Sequence, residues 1–239
     1  MGVYLLCNVS LCCLGKWHSF GICYPQNGRI NNQTLFLKIM FVDPSLSRID
    51  TSIFTDNYGQ IREDYIKMRN YDFFIDYSHT YDLTANPDDD FLGFIPTVTD
   101  NSPWKICPLV FNRKTISRFP KQCRECFTTE LLLSQPIKPV VAVFSILEPG
   151  VELEPHSDGD QRIDPNYADS SVIKYHFSLD IPSDGESGLV VNDEERILNN
   201  SDLNLFDEKL SPHYAYNMSN SRRGVLIVSY IRDEVLTSE

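Results

Sequence analysis

The chain has 239 residues, enough for one large domain or for one domain with an N-terminal extension, and its 42% hydrophobic content is enough to bury a core. Its 21 Lys and Arg against 33 Asp and Glu give a net charge of -12, which repels a phosphate backbone, so no nucleic-acid partner is expected. No apolar stretch approaches the roughly 18 to 20 residues that span a bilayer, so no transmembrane segment is expected either.

Residues 1–35 read as an irregular, cysteine-rich extension carrying Cys7, Cys12, Cys13 and Cys23. Its start, MGVYLLCNVSLCCLG, lacks the basic n-region and clean cleavage site of a secretory signal. The seven cysteines form no even framework, which points to reduced thiols in a cytoplasmic or nuclear setting. N-x-S/T sequons at Asn8, Asn32, Asn199 and Asn217 leave a secretory route open. Residues 36–239 read as a single domain.

In FTDNYGQIREDYIKMRN, Tyr58, Ile61, Tyr65 and Met68 recur at three- and four-residue spacing, which predicts an amphipathic helix. The aromatic segment YDFFIDYSHTYD reads as core rather than as a substrate pocket, with His79 as an ordinary hydrogen-bonded histidine. TANPDDDFLGFIPTVTDNSP reads as loop. Cys123 and Cys126 have zinc-like spacing but no second pair nearby, and they read as structural or incidental residues on a loop before the core.

Beyond Trp104 the pattern becomes β. KPVVAVFSILEPG predicts a strand buried on both faces and closed by a Pro-Gly turn. SVIKYHFSLDIP, GLVVND, ERILNN, LNLFDEKL and RRGVLIVSYIRDE follow as short strands between polar turns. The fold class expected is mainly β: a double-sheet jelly roll or barrel with helical support.

EPHSDGD places His156 and Asp158 one residue apart, so on an extended backbone both side chains face one side and converge on one ion. Asp160, past Gly159, reads as solvated. A second imidazole, His213, lies on the strand-rich half of the chain. Two imidazoles and one carboxylate on a rigid β scaffold are the ligand set of a non-haem Fe(II) oxygenase, because they leave adjacent positions open for a cosubstrate and O2. If the cosubstrate is 2-oxoglutarate, its distal carboxylate calls for a forked, always-charged donor, and Arg223, opening the last strand, is suitably placed. Arg222 would point to the opposite face.

Four stretches, WKICPL, FSILEPGVELEPHSD, IKYHFSLDIP and LFDEKLSPHYAYNMSNSRRGVLIVSYI, resemble the aspartyl/asparaginyl β-hydroxylase family of Fe(II)/2-oxoglutarate dioxygenases. The resemblance implies a double-stranded β-helix core, cupin-like, over about residues 104–235, supported by N-terminal helices. It implies that His156 and His213 bind iron and that Arg223 with Ser145 holds 2-oxoglutarate. His176 matches a family histidine that contacts the cosubstrate, and Lys174 stands where the family usually has Arg, which keeps the charge but loses the fork. Asn217 matches a recurrent polar position.

Asp158 stands where the animal peptide-hydroxylating branch has glycine, and bacterial members such as the lipid A hydroxylases resemble this chain there. The insertion GDQRIDPNYADSS after it is longer than usual and would overhang the site. The expected activity is hydroxylation of a C–H bond in an Asp/Asn-like amino-acid or peptidyl substrate, with release of succinate and CO2. A lipid or small metabolite is the alternative substrate. The rival readings are a non-catalytic β-helix binding module and a hydrolytic zinc site on the same fold. Arg223 favours the oxygenase, since a metal-bound water needs no carboxylate clamp.

Overall fold

The computed structural model describes residues 41–76, 103–117, 119–157 and 171–236. The extension 1–35, His79, Asp158, Asp160, the insertion that follows and most of the Pro/Asp-rich loop lie outside these residues. After a 3-10 turn at Pro44–Leu46 come helices α1 (Ser52–Asp56) and α2 (Tyr58–Asn70). The helix predicted from periodicity is α2, which buries Ile61, Tyr65 and Met68 along one face. Neither helix has a side-chain N-cap, so α2 is held by packing and by Arg62 and Arg69, which grip Asp180 at 2.7 and 2.8 Å.

The strands and remaining helices are β1 (Ile75–Asp76), β2 (Trp104–Phe111), β3 (Lys114–Thr115), α3 (Lys121–Arg124), α4 (Phe127–Ser134), β4 (Val141–Leu147), β5 (Val151–Glu152), β6 (Val172–Asp180), β7 (Ser187–Val191), β8 (Glu194–Ile197), β9 (Leu203–Asp207), β10 (His213–Asn217), β11 (Arg223–Ile231) and α5 (Arg232–Val235). Among the described residues they form two sheets. The larger runs β1-β2-β4-β11-β6-β9, with β3 beside β2; the smaller runs β5-β10-β7-β8. Every strand pairing is antiparallel, and the chain is mainly β, as expected for a jelly-roll, cupin-like core.

Turn chemistry joins neighbouring strands. The β7–β8 hairpin turns on Asn192 and Asp193, both at positive φ (49° and 71°), a conformation these two residue types tolerate. Pro149-Gly150 closes β4 as expected, with Gly150 at φ 69°. β4, β6 and β11 sit at the centre of the large sheet and are buried on both faces, which explains the near-continuous apolar runs of β4 and β11.

The outward face of the large sheet packs against the helices, with Phe54 and Tyr58 on Phe177 and Tyr65 on Phe144. Tyr65 lies so close to β11 that a β-carbon at Gly224 would overlap its ring.

The Cys123 and Cys126 segment differs from the loop expected of it. Cys123 lies within α3 and Cys126 is the residue before α4, and both are buried. The reason is a tertiary contact: the buried carboxylate of Asp64 on α2 accepts hydrogen bonds from Thr128 N and Oγ1, each at 2.8 Å, serving as the missing cap of α4. Cys107 on β2 touches Cys123, sulfur to sulfur, at 3.6 Å. Of the aromatic segment, Phe73, Phe74 and Ile75 pack on the core as expected, whereas Tyr71 is exposed.

Candidate active site

β6 alternates, as a strand must, between outward Ile173, Tyr175, Phe177 and Leu179 and inward Lys174, His176 and Ser178. β4 contributes Ser145 and β11 contributes Arg223 to the same inward face, with Val225 of β11 opposite both Ser145 and Ser178. From the smaller sheet, β10 opens on His213. His156 pairs with it through an isolated antiparallel bridge: His156 N donates to His213 O at 3.0 Å, and His213 N donates to His156 O at 2.8 Å. Residues directly opposite in a bridge share a face, and the two rings lie 4.6 Å apart. His156, His213, Ser145, Lys174, His176 and Arg223 all line one cleft of about 410 Å3, measured to its open mouth.

Each histidine of the pair turns one ring nitrogen back to the carbonyl two residues before it. His156 Nδ1 lies 2.7 Å from Glu154 O, and His213 Nδ1 lies 2.9 Å from Ser211 O. A carbonyl only accepts, so Nδ1 carries the proton in both rings and Nε2 presents the lone pair. This is the tautomer, held by a backbone partner, that a metal-binding histidine requires. The donor set fits a divalent cation. Among the described residues no group of three His, Cys, Asp or Glu side chains is placed to hold a metal; the carboxylate the sequence assigns to this role, Asp158, lies outside them.

Arg223 opens β11 with its side chain buried, and among the described residues no carboxylate pairs with it. Its Nη2 donates to His176 Nε2 at 2.6 Å, while its Nε has no partner among the described residues. Burial lowers the Arg223 pKa to about 10, which leaves the guanidinium charged at neutral pH. The same bond fixes the tautomer of His176: Nε2 accepts, so Nδ1 is a buried N–H without a partner. Burial, and then the charges of Arg223 and Lys174, hold His176 well below the usual histidine range, so the ring is neutral. A buried cation beside an N–H that has no partner among the described residues is costly to hold, since an uncompensated buried charge is strongly destabilising.

Trp104 and Glu208 escaped the sequence reading, which named Asn217 without giving it a role. Trp104 lines the cleft near His156 and donates from Nε1 to Ser145 Oγ at 2.8 Å, which orients that hydroxyl. Asn217 lies outside the cleft lining and braces it. Its side-chain nitrogen donates to Leu147 O at 3.0 Å and Ser221 O at 2.8 Å, and its oxygen accepts from Ser187 Oγ and Ser219 Oγ at 3.0 and 2.6 Å. That network ties the end of β4 to the turn that delivers Arg223. Glu208, just past β9, is buried with its carboxylate 3.4 Å from Lys174 Nζ. Lys105 and the exposed Arg222 share Glu148 outside the cleft, as expected for Arg222 on the opposite face.

The family model for aspartyl/asparaginyl beta-hydroxylase matches residues 55–233, about three quarters of the chain. No curated protein matches the sequence. Solved structures similar to the chain include a predicted oxalate decarboxylase from Thermotoga maritima, with 12% identity over 54% of this chain and 81% of that one at a TM-score of 0.34. KdgF from Halomonas sp. matches with 10% identity over 56% of this chain and 84% of its own at 0.34, and the Schizosaccharomyces pombe Cnp3 cupin domain with 11% identity over 59% and 75%, also at 0.34. At such scores these likenesses add nothing to what the strand order carries. Among the described residues no helix is long and apolar enough to cross a membrane.

Proposed function

Because the chain belongs to the aspartyl/asparaginyl β-hydroxylase family, we propose that it is an Fe(II)- and 2-oxoglutarate-dependent hydroxylase in which His156, His213 and Asp158 hold the metal. The observation that carries this reading is the buried guanidinium of Arg223, without a carboxylate partner among the described residues, on the same cleft as two histidines in the metal-binding tautomer. A hydrolytic metal site has no use for such a clamp, and a binding module that has lost turnover has no reason to keep both.

Fe(II), 2-oxoglutarate and O2 together supply oxidative decarboxylation to succinate and CO2 and the insertion of one oxygen atom into a substrate C–H bond. The chain's own residues orient and select. Arg223 receives the distal carboxylate of the keto acid with Ser145 and the Nδ1–H of His176 as further donors, and Lys174 faces the end nearer the histidines. Trp104, Leu153 and Phe206 wall the cleft and exclude water. The substrate is an Asp/Asn-like amino acid or peptide. Asp158, which sets this chain apart from the animal peptide hydroxylases it resembles, keeps a lipid or small metabolite as the second reading.

The test is direct. Anaerobic addition of Fe(II) and 2-oxoglutarate should produce a weak visible charge-transfer band, and admitting O2 should release succinate. No band, or succinate formation unchanged in Asp158→Ala, overturns the assignment. A screen of candidate peptides, amino acids and lipids for a mass gain of one oxygen identifies the substrate.

A further inference from the structure

Lys174 is a buried lysine that, among the described residues, has Glu208 Oε2 and His213 Nε2 beside it, each at 3.4 Å. The arrangement follows from register. Lys174 lies opposite Ser229 on β11 and opposite Phe206 on β9, and Glu208, two residues past Phe206, falls on the same face. Glu208 is itself anchored, its N–H donating to Val172 O at 3.0 Å and Ser229 Oγ donating to its Oε2 at 3.2 Å. Phe206 stacks beside the His213 ring, 4.7 Å between centroids, with the Lys174 ammonium 5.7 Å from the same phenyl ring. One row of side chains therefore links a buried carboxylate through an ammonium to the imidazole nitrogen that a cation would use.

We propose that Glu208 is a positioning residue for cation and keto-acid binding: it anchors and neutralises Lys174 so that an ammonium can stand beside a cation on His213 and face the cation-bound end of the keto acid. The inference rests on the function proposed above. A lysine ammonium and a divalent cation against one imidazole repel each other strongly in a poorly screened interior. The Glu208 carboxylate, 3.4 Å from that ammonium, offsets the repulsion. Arg in the place of Lys174 would bring a broad fork with several donors, whereas a lysine is a point charge whose aim depends on its partner. Glu208 supplies that partner.

The experiment uses the full chain, with Co(II) as the metal probe followed by its visible bands, and 2-oxoglutarate titrated calorimetrically into the Co(II)-loaded protein. Loss of an outer partner of a metal site lowers affinity about 10- to 100-fold, and Glu208→Gln should lose this much for 2-oxoglutarate, and less for Co(II). Glu208→Asp should recover most of the loss. In a Lys174→Met background, Glu208→Gln should add nothing, because Glu208 acts through the ammonium. If Glu208→Gln alone does not fold, Lys174→Met/Glu208→Leu removes the buried pair as a unit and should bind 2-oxoglutarate like Lys174→Met. The proposal is overturned if Glu208→Gln binds both ligands as wild type does, or if its loss persists in the Lys174→Met background. Wild-type protein that binds Co(II) but no 2-oxoglutarate sinks the cosubstrate reading instead, and the Co(II) arm then still decides whether Glu208 supports the cation.

Discussion

On β6 the outward residues Ile173, Tyr175, Phe177 and Leu179 are wholly buried, and the rings of Tyr175 and Phe177 lie 6.0 and 5.5 Å from Phe54. Between them, Lys174, His176 and Ser178 are buried almost as deeply on the inward face. The outward face satisfies its one polar atom there, since Tyr175 OH meets Ser47 Oγ at 2.7 Å. Among the described residues the inward face leaves His176 Nδ1, Ser178 Oγ and, on β11, Arg223 Nε without partners, while on the outward side the hydroxyls of Tyr230 on β11 and Tyr65 on α2 lack one too. Alternate residues of one strand thus serve different ends. The outward set stabilises the fold, and the inward set holds polar groups in a costly arrangement.

The contrast is sharpest where one substitution is made on each face. Phe177→Ala, on the outward face, should cost about 3 to 5 kcal/mol of unfolding free energy in urea, because a large ring leaves a cavity between the sheet and the helices. Arg223→Met, on the inward face, should leave stability unchanged or raise it by about 1 to 4 kcal/mol, since it replaces a buried charge with an apolar side chain of similar reach. The same change should abolish succinate formation from 2-oxoglutarate. An Arg223→Met protein as unstable as Phe177→Ala would mean that the guanidinium is part of the structural core, and the distinction between the faces would fail.

Much of the outward face was legible in the sequence because it is a local pattern. A three- and four-residue repeat marked α2, a continuous β-branched and aromatic run marked β4, and short strand-like segments between polar turns marked β6 and β11. His156, His213 and Arg223 were singled out in the sequence from chemistry and resemblance, and the fold brings them to one cleft. Their meeting was not local: His156 faces His213 only because two segments far apart in sequence form a bridge, and register between distant strands leaves no trace in either one. Glu208 and Trp104 were missed for the same reason, each looking like an ordinary acidic or aromatic residue until cross-strand pairing sets it beside Lys174 or Ser145. The helices around Cys123 and Cys126 were misread as loop because their cap, Asp64, comes from a distant part of the chain.

Gly224 couples the two faces, for it follows Arg223 on β11 and lies under Tyr65. Gly224→Ala should destabilise by about 1 to 3 kcal/mol through overpacking against that ring. In a Tyr65→Leu background, where the ring is gone, the same change should cost less. Calorimetric titration of 2-oxoglutarate into both proteins reads whether the clash is transmitted across the sheet. An affinity that falls with Gly224→Ala and returns with Tyr65→Leu would show that outward packing sets the aim of Arg223.

The smallest effect separates the faces by pH. His176 is held neutral, its pKa well below the ordinary value of about 6.5 that it regains on unfolding. Below pH of about 6.5 the unfolded chain takes a proton that the folded chain refuses, so the stability His176 contributes is complete above that pH and is lost as the pH falls toward its folded value. One such group bends the curve by at most about 1.4 kcal/mol per pH unit. Urea unfolding of wild type and His176→Leu at matched pH values between 7.5 and 5.5 isolates the contribution, because titrations common to both proteins cancel. The difference in unfolding free energy should move steadily against wild type as the solution is acidified. A constant difference would mean that His176 titrates in the folded protein much as it does in the unfolded chain, and with that the neutral imidazole accepting from Arg223 would have to be given up.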